Sequence, residues 1–202
     1  MADLIQIVDA ALASASSRAG AHLVCRPGCT PCCTGVFPIS HQDAARLRTG
    51  LELLSGTDPG RAQRLRARVA ASLARLAPNF PGDLTTGVLR QDDAAVDAFD
   101  AFADDVPCPV LDPRTGTCDL YAHRPILCRT FGPPARTAER HLAHCELCFT
   151  NASVDEIAAA ELDPTLPELE LAATQAYDAA HHLTGETLVA FALRESASRS
   201  TL

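Results

Sequence analysis

The chain has 202 residues, 47% hydrophobic and 21% charged, enough to bury a core beneath a solvated surface, which excludes collagen-like repetition and wholesale disorder. Seventeen Lys and Arg against 25 Asp and Glu leave a formal charge of -8. That balance argues against the clustered basic surface that phosphate backbones require, so no nucleic-acid partner is predicted.

The N-terminus carries Asp3 and no basic run ahead of its Ala- and Ser-rich stretch, which reads against a signal peptide. Nor does any apolar stretch approach the roughly 18 to 20 residues of a membrane span, so no membrane insertion is expected. A soluble, cytoplasmic chain follows as the expectation. Along it, Leu4, Ile5, Val8, Leu12 and Ala15 predict a helix over Asp3 to Ser17. Residues 22–39 hold four Cys, three Pro and two Gly without any sustained period, and read as an irregular loop.

Ser40 is a candidate N-cap for a helix through Ala44, Leu47, Leu51 and Leu54 that breaks near Ser55 and Gly56. Asp58 and Pro59 open the next, with Ala62, Leu65, Val69, Leu73 and Leu76 as its apolar stripe. Arg61, Arg64, Arg68 and Arg75 read as its solvated face. Pro78, Pro81, Gly82 and Gly87 mark a linker, and Asp92 to Ala103 a further helix. A hairpin is expected around Pro109 to Tyr121, turned by Asp112, Pro113 and Gly116. Another helix is predicted from near Arg136, carrying or preceding Cys145 and Cys148. Asn151 or Ser153 caps a segment through Ile157, Ala160 and Glu161, while Asp163 and Pro164 start one through Leu166, Leu169, Ala173, Ala176 and Ala180. Glu186 to Glu195 is the last helical pattern, and 195–202 reads as a flexible tail.

The pattern predicts a single, mainly α domain over 1–202 with two irregular cysteine-rich regions, 22–39 and 106–150. Connections that long weaken a plain helical bundle unless something binds them. Metal-thiolate ligation supplies the reason: a metal-thiolate centre would tie the irregular loops to the helical domain. Cys25, Cys29, Cys32 and Cys33 form the first group, spaced CxxxCxxCC; Cys108, Cys118 and Cys128 form the second; Cys145 and Cys148 close as CELC. Thiolates hold zinc tetrahedrally and attach iron in iron-sulfur clusters. An odd number of cysteines in a reducing compartment favours metal over disulfides. A thioredoxin-like role for CELC would need strand and helix context that the flanking sequence lacks.

CRPGCTPCC followed by CPVLDPRTGTCDLYAHRPILCRTF resembles the zinc- or iron-chelating domain family. The resemblance covers residues 25–33 and 108–131. It implies bound zinc or iron, with Cys25, Cys29, Cys32, Cys33, Cys108, Cys118 and Cys128 on the family's motif; Cys145 and Cys148 are added from their local spacing. All nine are therefore candidate metal ligands, in one centre or two. Arg26, Arg114, Arg124 and Arg129 are candidates to neutralise thiolate charge, and His123, His141 and His144 are secondary ligand candidates. Asp112 and Asp119 could offer oxygen to iron, although loop capping is the commoner use of such residues. Cys25, Cys29 and Cys32 are also spaced like the iron-sulfur triad of radical enzymes using S-adenosylmethionine, but that enzymes' barrel needs strand-helix repeats missing here.

No phosphate-binding glycine loop, H-E-x-x-H or G-x-S-x-G motif is present. The expected function is zinc or iron binding by clustered thiolates, with the metal ion as partner. The alternative is an iron-sulfur electron carrier or an oxidoreductase with an open iron site.

Overall fold

A computed structural model describes residues 3–26, 28–100, 102–137 and 141–195. These are mostly helical, with three two-stranded antiparallel hairpins, and they form two compact units. One draws on residues 3–26 and 126–179, the other on 28–125 and 180–195. Among the described residues no helix is long and apolar enough to cross a membrane. Beyond Glu195 the tail read in the sequence lies outside the described residues.

In the first unit, α1 spans Leu4–Ala19, capped by the Asp3 carboxylate on the Ile5 N–H and ended where Gly20 takes φ 53°. Its buried face, Leu4, Val8 and Ala15, packs with Ile126, Leu162 and Leu166. Ile126 starts a short helix, α5 (Ile126–Thr130), and Leu166 starts a long one, α7 (Leu166–His181). Between them α6 (Val154–Ala159) begins with a capping box, in which Ser153 and Glu156 satisfy each other's backbone N–H. The Arg18 side chain holds this corner by donating to the carbonyls of Ala159 and Glu161.

The helix expected from Arg136 is replaced by a hairpin of Ala135–Arg136 with Leu142–Ala143. Pro133 and Pro134 disfavour helical backbone just before it. The Thr137 N–H donates to the His141 carbonyl at 2.8 Å and closes the turn, of which residues 138–140 lie outside the described set.

In the second unit, α2 (His41–Thr57) and α3 (Pro59–Leu76) run head to tail through Asp58, which caps α3 by accepting the Arg61 N–H. Leu47, Leu51, Leu65 and Val69 fill the core with Val110, Leu120 and residues of a short closing helix, Val189–Ala192. That closing helix is much shorter than the pattern predicted, because Thr187 is held extended by exchanging two backbone hydrogen bonds with Ile39. The helix expected over 92–103 is also shorter, α4 (Asp93–Asp100), and Ala103 turns the backbone to φ 59°. A hairpin of Gly82–Asp83 with Val88–Leu89 occupies the stretch read as linker. Its strands are two residues long, too short to leave a period-2 signal.

Gly50 brings α2 close to the loop at His123: a β-carbon there would stand 2.8 Å from His123 Cβ and Cγ. The clash is with atoms next to the His123 backbone and has little room to relax. Gly50→Val is therefore expected to lower stability by about 2 kcal/mol, read as a reduced urea midpoint.

Candidate metal centre

The nine cysteines divide between the units. Residues 28–125 hold Cys29, Cys32, Cys33, Cys108 and Cys118; the other unit holds Cys25, Cys128, Cys145 and Cys148. The CxxxCxxCC run is thus split after its first cysteine.

In the larger unit the first loop and the predicted hairpin come together. The hairpin pairs Leu111–Asp112 with Thr117–Cys118, turned by Asp112 and by Gly116 at φ 67°. Asp112 accepts the Arg114 N–H at 2.9 Å, a bond that holds its carboxyl below the usual carboxylate range. The Cys108 N–H donates to the Cys33 carbonyl at 2.7 Å, and Thr34 forms a bridge with Pro107. A β-carbon on Gly116 would lie 3.6 Å from the Gly28 Cα, so the hairpin tip rests beside the backbone leading into Cys29.

The sulfurs of this group influence one another. A hydrogen bond from Cys33 brings the Cys32 thiol down to about 6, helped by the positive charge of Arg124. The same bond, followed by burial and the nearby sulfurs of Cys32, Cys108 and Cys118, pushes Cys33 strongly upward. Burial pushes Cys108 up to about 11 and also raises Cys118. One thiolate is thus favoured near neutrality, while its neighbours resist adding more negative charge in a confined space. A thiophilic cation would relieve that repulsion, so the donor set suits zinc or iron.

Behind the hairpin is a device the sequence reading missed. Arg61 and Arg68, one helical face of α3, both donate to the fully buried carboxylate of Asp119. Arg68 Nε also donates to the Pro109 carbonyl at 2.9 Å. Asp119 follows Cys118 and Pro109 follows Cys108, so the two arginines fix both arms that carry sulfur. These side chains read as a solvated face; the seven-residue interval that aligns Arg61 with Arg68 was the available signal. Asp119, a candidate oxygen ligand, thus accepts from two arginines, and Asp112 from its own turn.

The smaller unit brings Cys25 Sγ to 3.9 Å from Cys148 Sγ. Cys145 and Cys148 are buried, and the Cys148 N–H donates to the Cys145 carbonyl at 2.9 Å to form a tight turn. Cys128 is half-buried on α5. Of the arginines expected to offset thiolate charge, Arg129 is buried and donates to Asp9 at 2.8 and 3.0 Å, whereas Arg124 lies 3.9 Å over the Tyr121 ring as well as beside the sulfurs. Arg26 and Arg114 are exposed. His123 packs on α2 at Gly50, and His144 Nδ1 is 3.1 Å from the Cys145 carbonyl. Among the described residues, no three His, Cys, Asp or Glu side chains converge closely enough to coordinate an ion as placed.

No curated protein and no solved structure matches the chain. A family model described as "CxxCxxCC: Putative zinc- or iron-chelating domain" matches residues 24–149, a span that includes all nine cysteines. The chain's first two cysteines are separated by three residues where that motif has two. With more than half of its length matched, from the first sulfur loop through the CELC turn, the chain belongs to this zinc- or iron-chelating domain family.

Proposed function

We propose that the protein binds zinc or iron through cysteine thiolates, and that residues 28–125 hold one centre with ligands drawn from Cys29, Cys32, Cys33, Cys108 and Cys118. The supporting observation is the hydrogen bond from the Cys108 N–H to the Cys33 carbonyl at 2.7 Å, beside the bridge of Thr34 with Pro107, which joins two cysteine-bearing loops far apart in sequence. Bound metal would supply positive charge to these sulfurs and a cross-link between the loops. The chain's own contribution is placement. Arg124 adds positive charge beside Cys32, and the Asp119 clamp holds the segments bearing Cys108 and Cys118.

Anaerobic purification followed by elemental analysis and an absorption spectrum tests the reading. Zinc or iron is expected in stoichiometric amount, and Cys108→Ser is expected to lower it by one centre while the far-ultraviolet circular dichroism persists. Iron with inorganic sulfide and broad visible absorption would identify the centre as an iron-sulfur cluster and favour an electron carrier. A folded, reduced chain that takes up neither metal would overturn the proposal.

A further inference from the structure

The cysteines of the smaller unit form a constellation of their own. Three backbone segments meet at Gly132. Its carbonyl accepts the Cys145 N–H at 3.2 Å, and a β-carbon on it would stand 3.0 Å from Cys25 Sγ. With φ 126° as well, this position is closed to ordinary side chains. Cys128 lies four residues before Gly132, on α5, whose direction is held by the Arg129 to Asp9 pair.

The CELC turn is tied to the Cys25 segment from its other end. Phe149 adopts φ 59°, a conformation costly for a bulky residue, and donates its N–H to the His22 carbonyl at 3.0 Å. Its ring lies against those of His22 and His144. Cys148 is 1% exposed among Ala19, Phe149 and Ala160, so this turn carries a sulfur into the apolar interior.

The sulfur spacing indicates what the arrangement accommodates. A disulfide requires about 2.0 Å between sulfurs. Two thiolates on one zinc, at about 2.3 Å from the metal in a tetrahedron, stand about 3.8 Å apart. Cys25 and Cys148 are 3.9 Å apart. The Cys-x-x-Cys turn of Cys145 and Cys148 also has the ligand spacing of structural zinc sites.

We propose that residues 3–26 and 126–179 carry a second, mononuclear zinc site, with Cys25, Cys145 and Cys148 as ligands and Cys128 as the fourth. The inference rests on the chelating function proposed above and extends it from one centre to two. Cys25 accordingly serves a different metal from the three cysteines that follow it in the same run.

The test uses the full chain, stripped with a chelator, reduced, and reloaded anaerobically with zinc alone. Native mass spectrometry is expected to count two zinc ions per chain in the wild type, one in Cys25→Ser/Cys148→Ser and one in Cys108→Ser/Cys118→Ser. A single ion in the wild type that survives in Cys25→Ser/Cys148→Ser overturns the second site and leaves the first standing, while no ion in the wild type overturns both. A readout that needs no variant is iodoacetamide labelling of the wild type, mapped by peptide mass. Zinc is expected to slow labelling of the exposed Cys25 strongly. Equal labelling with and without zinc, or a Cys25–Cys148 disulfide in the zinc-loaded chain, overturns the site.

Discussion

Asp119→Ala is expected to cost the larger unit about 3 kcal/mol of stability, read from urea unfolding, and to release the metal proposed for it. The Asp119 carboxylate is fully buried and accepts from Arg61 and Arg68, so its removal leaves two guanidinium groups without their shared counter-charge. Breaking a buried ion pair by deleting one partner costs about 3–5 kcal/mol. The lower end applies because the Arg61 and Arg68 side chains retain 35% and 21% of their exposure and are partly solvated. The metal follows because the clamp spans both arms of the hairpin: Asp119 adjoins Cys118, and Arg68 grips the carbonyl of Pro109 beside Cys108. Metal content that stays at the wild-type level in folded Asp119→Ala would separate the clamp from the site.

Leu65→Ala is expected to be as damaging to stability and much less so to metal content. Leu65 has no exposed surface and packs with Leu47, Val69, Val110 and Leu120, with half-buried Cys108 and Cys118 against the same cluster. Truncating such a leucine removes buried apolar surface and leaves a cavity, together costing about 2–5 kcal/mol. The backbone hydrogen bond between Cys108 and Cys33 and the arginine clamp remain, so the sulfur-bearing segments keep their supports. A lowered urea midpoint with unchanged metal per folded chain is the expected pair of results. Together the two variants distinguish stability supplied by the core from positioning supplied by the clamp.

The helices at 4–19, 41–57 and 59–76 were legible because their signals are local. Asp3, Ser40 and Asp58 each accept a backbone N–H at the start of the helix they announce, and each apolar stripe recurs at the helical period. The turn at Asp112 to Gly116 was readable for the same reason. The hairpin at 135–143 was misread as helix, because its strands are two residues each and are defined by partners across a turn. Arg61 and Arg68 were misread because an arginine facing solvent and one facing a buried carboxylate look alike until the carboxylate is placed.

The cysteines by themselves determined the donor chemistry: nine thiols are a soft donor set in any arrangement, since softness and charge belong to the side chain. Only the tertiary structure decided how those donors are grouped. Cys25 is next to Cys29 in the run, yet its sulfur lies 3.9 Å from that of Cys148, and Cys33 is bonded through its carbonyl to Cys108. Such pairings depend on where the chain crosses Gly132 and on which carboxylate meets the arginines of α3. These are contacts between distant segments, and spacing along the chain carries no record of them.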